Sequence, residues 1–196
     1  MSDIDDFAHL DHHDDGRIPP LNYVDKLQRA NALELAFYPM SALRTALEDG
    51  RILGAEENGE PAGYLWHGPI RGGRDVFIYQ ACIDYDARRR YLGFSMVRKL
   101  LAKAEAAHST GIRLRCASSS DSNEFWRAIG FYCTAVVPGG ESRLRDLNLW
   151  RTDIQPGFFR LQTKPSDAQM DRSAYMRSLS DGTNTLPSRF ARKHYG

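Results

Sequence analysis

Three consecutive arginines, Arg88, Arg89 and Arg90, follow a short apolar run and precede a segment with helical spacing. A helix that begins there offers unpaired backbone N–H groups and the positive end of its dipole. Such a helix start binds phosphate or pyrophosphate, and guanidinium groups add charge-assisted, often bidentate contacts. The pattern therefore indicates a site for an anionic ligand, although a basic first turn also occurs on a plain solvated surface.

Two common nucleotide-binding motifs are excluded by the glycine pattern. The chain has no Gly-Lys-Ser/Thr sequence, so it has no Walker A loop, and it lacks the glycines of the dinucleotide fingerprint.

The first fifteen residues contain six aspartates and no Lys or Arg, which leaves 26 basic and 19 acidic residues in the rest of the chain. A basic body suits an anionic partner, either a nucleotide cofactor or a nucleic acid.

Residues 83–97 resemble the core motif of the GNAT superfamily of N-acetyltransferases, in which a strand is followed by Arg/Gln-x-x-Gly-x-Gly/Ala. With the family spacing counted from the end of the strand, Arg88 takes the Arg/Gln position and Gly93 the second glycine. Tyr91 then stands at the first glycine, where the family's backbone approaches the pyrophosphate closely. A register that starts at Arg90 fits the same letters but shifts the motif by two residues, so the first register is preferred.

A second stretch, residues 123–131 (Asn-Glu-Phe-Trp-Arg-Ala-Ile-Gly-Phe), resembles a later motif of the same family. Together the two motifs extend the resemblance over roughly residues 24–154. The resemblance implies an α/β fold with a central mixed, mostly antiparallel sheet that is flanked by helices. It also implies a V-shaped split between the two central parallel strands, into which the pantetheine arm of acetyl-CoA inserts.

Acetyl-CoA is thus the co-substrate that the resemblance implies, and the acceptor amine would attack its thioester directly through a tetrahedral oxyanion. A backbone N–H near Cys82 or Ile83 would stabilise that charge. The residues that the resemblance assigns to the cofactor are Ala81, Cys82, Ile83, Arg88, Arg89, Arg90, Tyr91, Leu92, Gly93, Phe94, Asn123 and Trp126.

The proton-transfer residues depart from the family pattern. Tyr79 takes the place of the Glu that many members use as general base, and Trp126 takes the place of the Tyr that they use as general acid. An indole N–H does not give up its proton, so Trp126 is no acid. Tyr79 and Tyr132 are the candidate proton donors instead. Three further side chains are candidates for relaying a proton from the amine, and each has a structural explanation as well: His67, Asp75 and Asp121.

For the acceptor, the informative segment is the connection between the two N-terminal helices, which in this family usually lines the substrate site. Phe37 and Tyr38 lie there. We expect them to wall the acceptor site, where an aromatic surface suits a planar or apolar amine. The same residues would also suit a hydrophobic core.

The apolar periodicity and turn residues predict ten elements in the order helix, helix, strand, strand, strand, helix, strand, helix, strand, strand. Asn58-Gly59 is a strong β-hairpin signal. Ser41 is expected to cap the second helix, and the first helical stripe extends through Phe37 to the break at Pro39. The predicted helices cover residues 21–37, 42–48, 90–108 and 123–129, and the strands cover 51–56, 62–67, 76–83, 112–117, 132–137 and 144–150.

The chain divides into an acidic N-terminal arm (1–20) that is expected to be disordered, an acyltransferase domain (21–155) and a basic extension (156–196). Residues 157–196 hold seven basic and three acidic residues. The arm contains a His/Asp cluster, residues 9–14, which we interpret as a solvated tract rather than a metal site.

Composition and cysteine usage favour a cytoplasmic protein with no membrane association. The apolar runs are too short for a span of roughly 20 residues, and the acidic N-terminus lacks the features of a secretory signal. Cys82, Cys116 and Cys133 are too few and too scattered for a disulfide framework.

Three hypotheses follow for the function. The leading one is acetyl transfer from acetyl-CoA to an amine on a small molecule or peptide. The second keeps the fold but takes a nucleobase as acceptor, as in Mom-type DNA-modification proteins, with nucleic acid bound by the basic surface and the C-terminal extension. The third is a non-catalytic acyl-CoA-binding or partner-binding module. Oligomerisation stays open in all three.

Overall fold

The structure is a computed structural model that describes residues 17–140 and 145–154. It comprises two compact units that meet between Thr110 and Gly111. The first unit contains, in chain order, α1 (Leu21–Ala30), α2 (Met40–Glu48), β1 (Ile52–Glu57), β2 (Glu60–His67), β3 (Asp75–Ile83), a 3₁₀ turn (Tyr85–Ala87) and α3 (Leu92–Ala106). The second contains β4 (Gly111–Ala117), α4 (Ser122–Ala128), β5 (Tyr132–Pro138) and β6 (Asp146–Asp153). The predicted order of helices and strands is confirmed.

In the first unit, β1, β2 and β3 form an antiparallel sheet. The turn between β1 and β2 has positive φ at both central residues, 53° at Asn58 and 82° at Gly59. Positive φ at both positions is what a two-residue type I′ hairpin needs, and Asn-Gly supplies it at little cost. The hairpin predicted from this dipeptide is therefore confirmed.

A β-bulge interrupts the pairing of β2 with β3. Trp66 is opposite Gln80 and His67 is opposite Ile78, so Tyr79 has no partner on β2. Because Trp66 and His67 are consecutive, they point to opposite faces of the sheet, and so must Gln80 and Ile78. The bulge thus changes the face to which the buried residues of β3 point.

Helices α1 and α2 pack on one face of this sheet, where their buried side chains form a core with residues of all three strands. The helical members are Val24, Leu27, Leu43 and Ala46, and the strand members are Ile52, Tyr64, Trp66 and Cys82. Helix α3 packs against the same three strands through Met96, Val97, Leu100 and Ala104.

The predicted ends of the N-terminal helices were wrong. Helix α1 ends at Ala30 instead of continuing to Phe37, because the side chain of Asn31 donates to the carbonyl oxygen of Leu27 and a turn follows. Leu33, which the periodicity placed on the buried stripe, is 86% exposed. Helix α2 begins at Met40 directly after Pro39, with no side-chain cap, so Ser41 lies inside the first turn.

The bounds of α3 also differ from the prediction. It begins at Leu92 instead of Arg90, because the 3₁₀ turn and two left-handed residues occupy the preceding segment. At the other end the left-handed residue that follows the helix is His108, with φ of 55°, whereas Gly111 already belongs to β4. The residue that adopts the left-handed conformation after the helix is thus a histidine instead of a glycine.

In the second unit, β6 pairs antiparallel with both β4 and β5. Trp150 of β6 and Phe131, just before β5, are each 1% exposed and form part of its core. Helix α4 ends at Ala128, one residue before the predicted end, and Gly130, with φ of 91°, follows the capping residue Ile129. Strand β6 continues to Asp153, three residues beyond the predicted end.

The described part of the N-terminal segment lies against β1. Pro19 is buried, and a Cβ placed on Gly54 would collide with the carbonyl oxygen of Arg17 and with the Pro19 ring. Residues 1–16 with their His/Asp cluster, and the extension from residue 155, lie outside the described residues. Within the described ranges, no helix is long and apolar enough to cross a membrane.

Candidate functional site

Two hydrogen bonds hold the turn that follows β3. Asp84 donates its backbone N–H to the carbonyl oxygen of Ala62 at 2.9 Å. Its carboxylate accepts a 2.6 Å hydrogen bond from the hydroxyl of Tyr23 in α1. Burial, together with this bond, raises the pKa of Tyr23, so its hydroxyl remains a donor. Neither Tyr23 nor Asp84 was singled out from the sequence, because their 61-residue separation gives no local pattern.

Two non-glycine residues in this loop adopt left-handed backbone conformations. Arg89 has φ of 63° and Tyr91 has φ of 61°, and Tyr91 is the residue that immediately precedes α3. For an L-amino acid this conformation costs roughly 1–2 kcal/mol, whereas glycine adopts it readily. Tyr91, which takes the position of the family's first glycine, therefore has the backbone conformation that favours glycine.

The N-terminus of α3 begins with backbone donors that the helix itself does not pair. Tyr91 provides no side-chain cap, and the first bond of the helix is the one that Ser95 N–H donates to the Tyr91 carbonyl at 2.9 Å. The N–H groups of Leu92 and Gly93, in the first turn, have no partner four residues earlier within the helix. Together with the dipole of a 15-residue helix they favour an anion at this end.

The three arginines have different surroundings. Arg88 donates from Nε to the Ile83 carbonyl at 3.3 Å and from Nη2 to Asn31 Oδ1 at 3.1 Å. Arg90 forms an ion pair with Glu57. Arg89 is exposed, and within the described ranges no residue pairs with its guanidinium group. Of the three, Arg89 is therefore the arginine whose donors are not engaged by any described residue.

The end of β3 lies next to this loop. Ala81, Cys82 and Ile83 pair with β2 residues, and Cys82 is 7% exposed. Burial raises the pKa of the Cys82 thiol to about 12, so the thiol stays protonated at neutral pH. Since the thiolate is the nucleophilic form, Cys82 is not suited to carry an acyl group.

A cluster of aromatic rings lies beside the bulge in β3, and we call it the acceptor wall after the role predicted from the sequence for Phe37 and Tyr38. Four of its members are in ring contact, Tyr38, Trp66, Phe77 and Tyr79. We count Phe37 as the fifth because it precedes Tyr38 in the chain and is exposed. The ring centroids of Tyr38 and Trp66 are 4.6 Å apart, and those of Trp66 and Tyr79 are 5.2 Å apart. Phe77 is also 5.2 Å from Tyr79. The structure thus brings Tyr38 together with Tyr79, while Trp66 and Phe77 were not predicted as members.

The exposed members of the acceptor wall are Phe37 and Tyr79, at 53% and 37%. The Arg29 guanidinium carbon lies 5.2 Å from the centre of the Phe37 ring. Tyr38 is half-buried, and loss of solvation is the main reason that the pKa of its hydroxyl is raised. The nearby Tyr79 raises this pKa further. Gly68 lies beside the hydroxyl end of the Tyr79 side chain, since a Cβ at Gly68 would be 3.5 Å from the hydroxyl oxygen of Tyr79.

Two of the candidate proton relays, His67 and Asp75, lie in the first unit, and both contact polar groups of the protein itself. His67 is 3% exposed and its Nδ1 lies 2.7 Å from the Gly68 carbonyl oxygen. Desolvation, reinforced by Lys103 and Arg51, lowers the pKa of His67 and keeps the ring neutral. Asp75 accepts a 2.6 Å hydrogen bond from the Thr110 hydroxyl.

In the second unit, Asn123 is buried and its amide is fully engaged. Its Nδ2 donates to the carbonyl oxygens of Ala117, Ser118 and Ser120 at 2.8, 3.2 and 2.6 Å. Its Oδ1 accepts from Asn148 Nδ2 and from Trp150 Nε1 at 2.5 and 2.9 Å. The amide thus joins the β4–α4 loop to β6, which explains the asparagine in this motif by internal hydrogen bonds rather than by ligand contact.

Trp126 and Tyr132 also belong to the second unit. Trp126 is 5% exposed and packs edge-on against Phe131, with ring centroids 5.2 Å apart. The Tyr132 hydroxyl donates to Asp153 at 2.8 Å and accepts from Arg151 at 2.9 Å. Loss of solvation is the main cause that raises the pKa of Tyr132, and the hydrogen bond to Asp153 raises it further. The Tyr132 hydroxyl is therefore a weaker acid than an exposed tyrosine. Asp121 lies exposed at the start of α4.

A family model described as the acetyltransferase (GNAT) family matches residues 21–131. No curated protein matches the chain. Among solved structures, Ard1 from Thermoplasma volcanium is similar with 14% identity and a TM-score of 0.61, over 69% of this chain and 91% of that one. NAA60 from Arabidopsis thaliana, solved with a bisubstrate analogue, is similar with 15% identity and a TM-score of 0.60, over 70% of this chain and 95% of that one.

A third solved structure, an aminoglycoside 6'-N-acetyltransferase complexed with coenzyme A, has 14% identity and a TM-score of 0.57, over 69% of this chain and 91% of that one. At these identities the likeness shows the fold alone. It confirms the predicted α/β class, with mostly antiparallel strands flanked by helices.

Proposed function

The chain belongs to the GNAT acetyltransferase family, and we propose that it transfers an acetyl group from acetyl-CoA to a primary amine by direct attack of the amine on the thioester. Acyl-CoA-dependent acetyl transfer in general follows from the family. The identity of the acyl donor, the direct attack and the residues named below belong to the proposal.

The observation that carries the proposal is the backbone at the start of α3. Left-handed Arg89 and Tyr91 lead into a helix whose first N–H groups are uncapped by any side chain. Alternating left-handed residues and free N–H groups form a concave surface that suits phosphate oxygens. Tyr91 keeps the backbone conformation that favours glycine at this position, so the change of residue leaves the anion site intact.

In this proposal the pyrophosphate of acetyl-CoA binds at the N–H groups of Leu92 and Gly93. Arg89 adds the charge-assisted contact, because its guanidinium group has no partner within the described ranges. Arg88 keeps its bonds to Ile83 and Asn31 and presents its remaining N–H donors. The backbone of residues 81–83 would pair with the pantetheine arm, as the family resemblance implies.

Bound acetyl-CoA supplies the thioester carbonyl that the acceptor amine attacks. The alternative of an acyl-cysteine is disfavoured for Cys82 because burial keeps its thiol protonated. Of the two candidate proton donors, Tyr79 suits the role better. It is 37% exposed on the acceptor wall, whereas the Tyr132 proton is already committed to Asp153.

Calorimetric titration with acetyl-CoA tests the cofactor site. Arg89→Ala should weaken binding by about tenfold, the size of one charge-assisted hydrogen bond. Arg44→Ala, in the exposed part of α2, is the matched control and should bind as the wild type does. Equal affinities for the wild type and Arg89→Ala would refute the assignment of Arg89.

A second experiment separates the proposal from a non-catalytic acyl-CoA-binding module. Thiol release from acetyl-CoA in the presence of a primary amine demonstrates transfer, whereas binding without release supports the module. The nucleobase alternative rests mainly on the basic C-terminal extension, which lies outside the described residues. It requires DNA affinity that falls steeply with salt concentration. A cytoplasmic location stays a prediction.

A further inference from the structure

Two buried glutamines from different elements meet under the acceptor wall. Gln28 of α1 is 1% exposed and Gln80 of β3 is 2% exposed. The Gln80 Nε2 group donates to Gln28 Oε1 at 3.0 Å. The Gln80 Oε1 atom accepts a 2.9 Å hydrogen bond from the hydroxyl of Tyr64, which is itself fully buried. Burial of a primary amide is costly unless its polar atoms are paired, and here they are.

The remaining hydrogen bonds of this pair go to the backbone between α1 and α2. Gln28 accepts from the Tyr38 N–H at 2.9 Å and donates to the Tyr38 carbonyl at 2.9 Å. Gln80 donates to the Ala36 carbonyl at 2.5 Å. Residues 36–38 belong to no helix or strand. Two side chains thus provide the hydrogen bonds that a neighbouring strand would otherwise supply to this segment.

The network also includes Asp25, which contacts Gln28 within α1. Gln28 Nε2 lies 3.4 Å from Asp25 Oδ1, and the other oxygen of Asp25 is paired with Arg29 at 2.8 Å. A buried network in which every member is satisfied holds one arrangement, because any displaced atom loses its partner in a poorly solvated place.

The segment so held carries the aromatic residues of the acceptor wall. Tyr38 packs edge-on against Trp66 with centroids 4.6 Å apart and lies 6.2 Å from Tyr79. Phe37 is the next residue along the chain and is exposed. On the sheet side, Gln80 directly follows the bulge residue Tyr79. The two glutamines therefore connect both halves of the wall, the loop with Tyr38 and the strand with Tyr79.

We propose that Gln28 and Gln80 are positioning residues of the acceptor site, and that the wall they hold selects a primary amine carried on a flat, apolar body. This inference rests on the proposed function. Exposed ring surface favours stacking with a planar group. Because Asp25 is already paired with Arg29, its carboxylate is not available to an acceptor with several positive charges, and the Arg29 guanidinium group lies beside Phe37. A polycation without a ring is thus the disfavoured class.

The test measures thiol release from acetyl-CoA with two probe amines, phenethylamine and spermidine. For the wild type, kcat/KM for phenethylamine should exceed that for spermidine by at least about tenfold. Gln28→Met and Gln80→Met should each raise the KM for phenethylamine by at least about tenfold, because a small displacement of a binding surface is costly. The KM for acetyl-CoA should change by less than about twofold, since the cofactor loop lies outside the network.

Ser109→Ala is the matched control, because Ser109 is equally buried in the first unit but bonds to Arg71 instead of the wall. It should leave both KM values unchanged. Parallel changes in the two KM values of the glutamine variants, or an unchanged KM for phenethylamine, would overturn the positioning role. Preference for spermidine, or acetyl-CoA binding without transfer to phenethylamine, would overturn the proposed selectivity. A protein that does not bind acetyl-CoA would refute the proposed function itself.

If neither glutamine variant folds, amide hydrogen exchange of the wild-type protein still tests the positioning role. The Tyr38 amide, bonded to a buried side chain, should exchange with solvent at least about a hundredfold more slowly than a free peptide amide. Exchange at the free-peptide rate would overturn the inference that Gln28 holds this segment.

Discussion

The hydroxyl of Tyr23 and the carboxylate of Asp84 are 2.6 Å apart, and their hydrogen bond ties α1 to the turn that leaves β3. A second bond, from Arg88 to Asn31, links the end of the same helix to the arginine loop. The helix that begins the domain therefore supports the loop in which we propose the pyrophosphate binds.

Replacing Tyr23 by Phe should lower the free energy of unfolding by about 1–2 kcal/mol, because the half-buried carboxylate of Asp84 loses its donor. Denaturant titration measures the difference. Tyr85→Phe is the control, since Tyr85 is 79% exposed and keeps its ring beside Arg88. Equal stabilities of Tyr23→Phe and the wild type would contradict a contribution from this bond.

Replacing Tyr91 by Gly should raise the free energy of unfolding by about 0.5–1 kcal/mol. Relief of the left-handed strain exceeds the entropy that glycine loses on folding. Because the side chain is 78% exposed, little packing is lost. Tyr91→Ala keeps the strain and should show no such gain. A lower stability of the glycine variant in thermal unfolding would argue against strain at this residue.

His67 should make the protein less stable in mild acid. Burial lowers its pKa in the folded state below the ordinary value of 6.5. The unfolded chain therefore binds a proton more readily, and stability is lost as the pH falls below about 6.5, at up to about 1.4 kcal/mol per pH unit. Unfolding titrations between pH 7.5 and 5 measure the slope.

The slope due to His67 should diminish in His67→Gln and persist in His108→Asn, which removes an exposed histidine at the end of α3. An identical pH dependence in wild type and His67→Gln would show that other groups cause it.

Replacing Asn123 by Ala should destabilise the second unit by about 2–4 kcal/mol, because three carbonyl oxygens lose the side-chain amide donor and the side chains of Asn148 and Trp150 lose this acceptor. Chemical denaturation monitored by the fluorescence of Trp150, which donates to Asn123, measures the loss. Ser122→Ala changes an exposed neighbour and should cost less than about 0.5 kcal/mol. Similar stabilities for the two variants would favour a direct ligand role for Asn123.

Local sequence was sufficient for several elements. The Asn58-Gly59 hairpin followed from two residues that tolerate positive φ, and Gly130 marked the end of α4 for the same reason. The family resemblance located the loop before α3 and the fold class. These features depend on residues close together in the chain, where backbone preference and side-chain periodicity are readable.

Other features depended on partners far along the chain. The end of α1 at Ala30, the bulge at Tyr79 and the different pairing of Arg88, Arg89 and Arg90 leave no local pattern. The left-handed backbone at Tyr91 runs against the residue's own preference and is held by the fold around it.

For this protein, the sequence alone therefore determined the family, the order of the elements and the position of the arginine loop before α3, because short-range backbone preferences and motif letters carry that information. Only the tertiary structure decided which of the three loop arginines lacks a partner among the described residues, and that Asn123 is engaged internally. The tertiary structure alone also brought together Gln28 and Gln80, 52 residues apart, which hold the acceptor wall. The physical reason is that a buried polar atom takes whichever partner the packed chain brings within hydrogen-bonding distance.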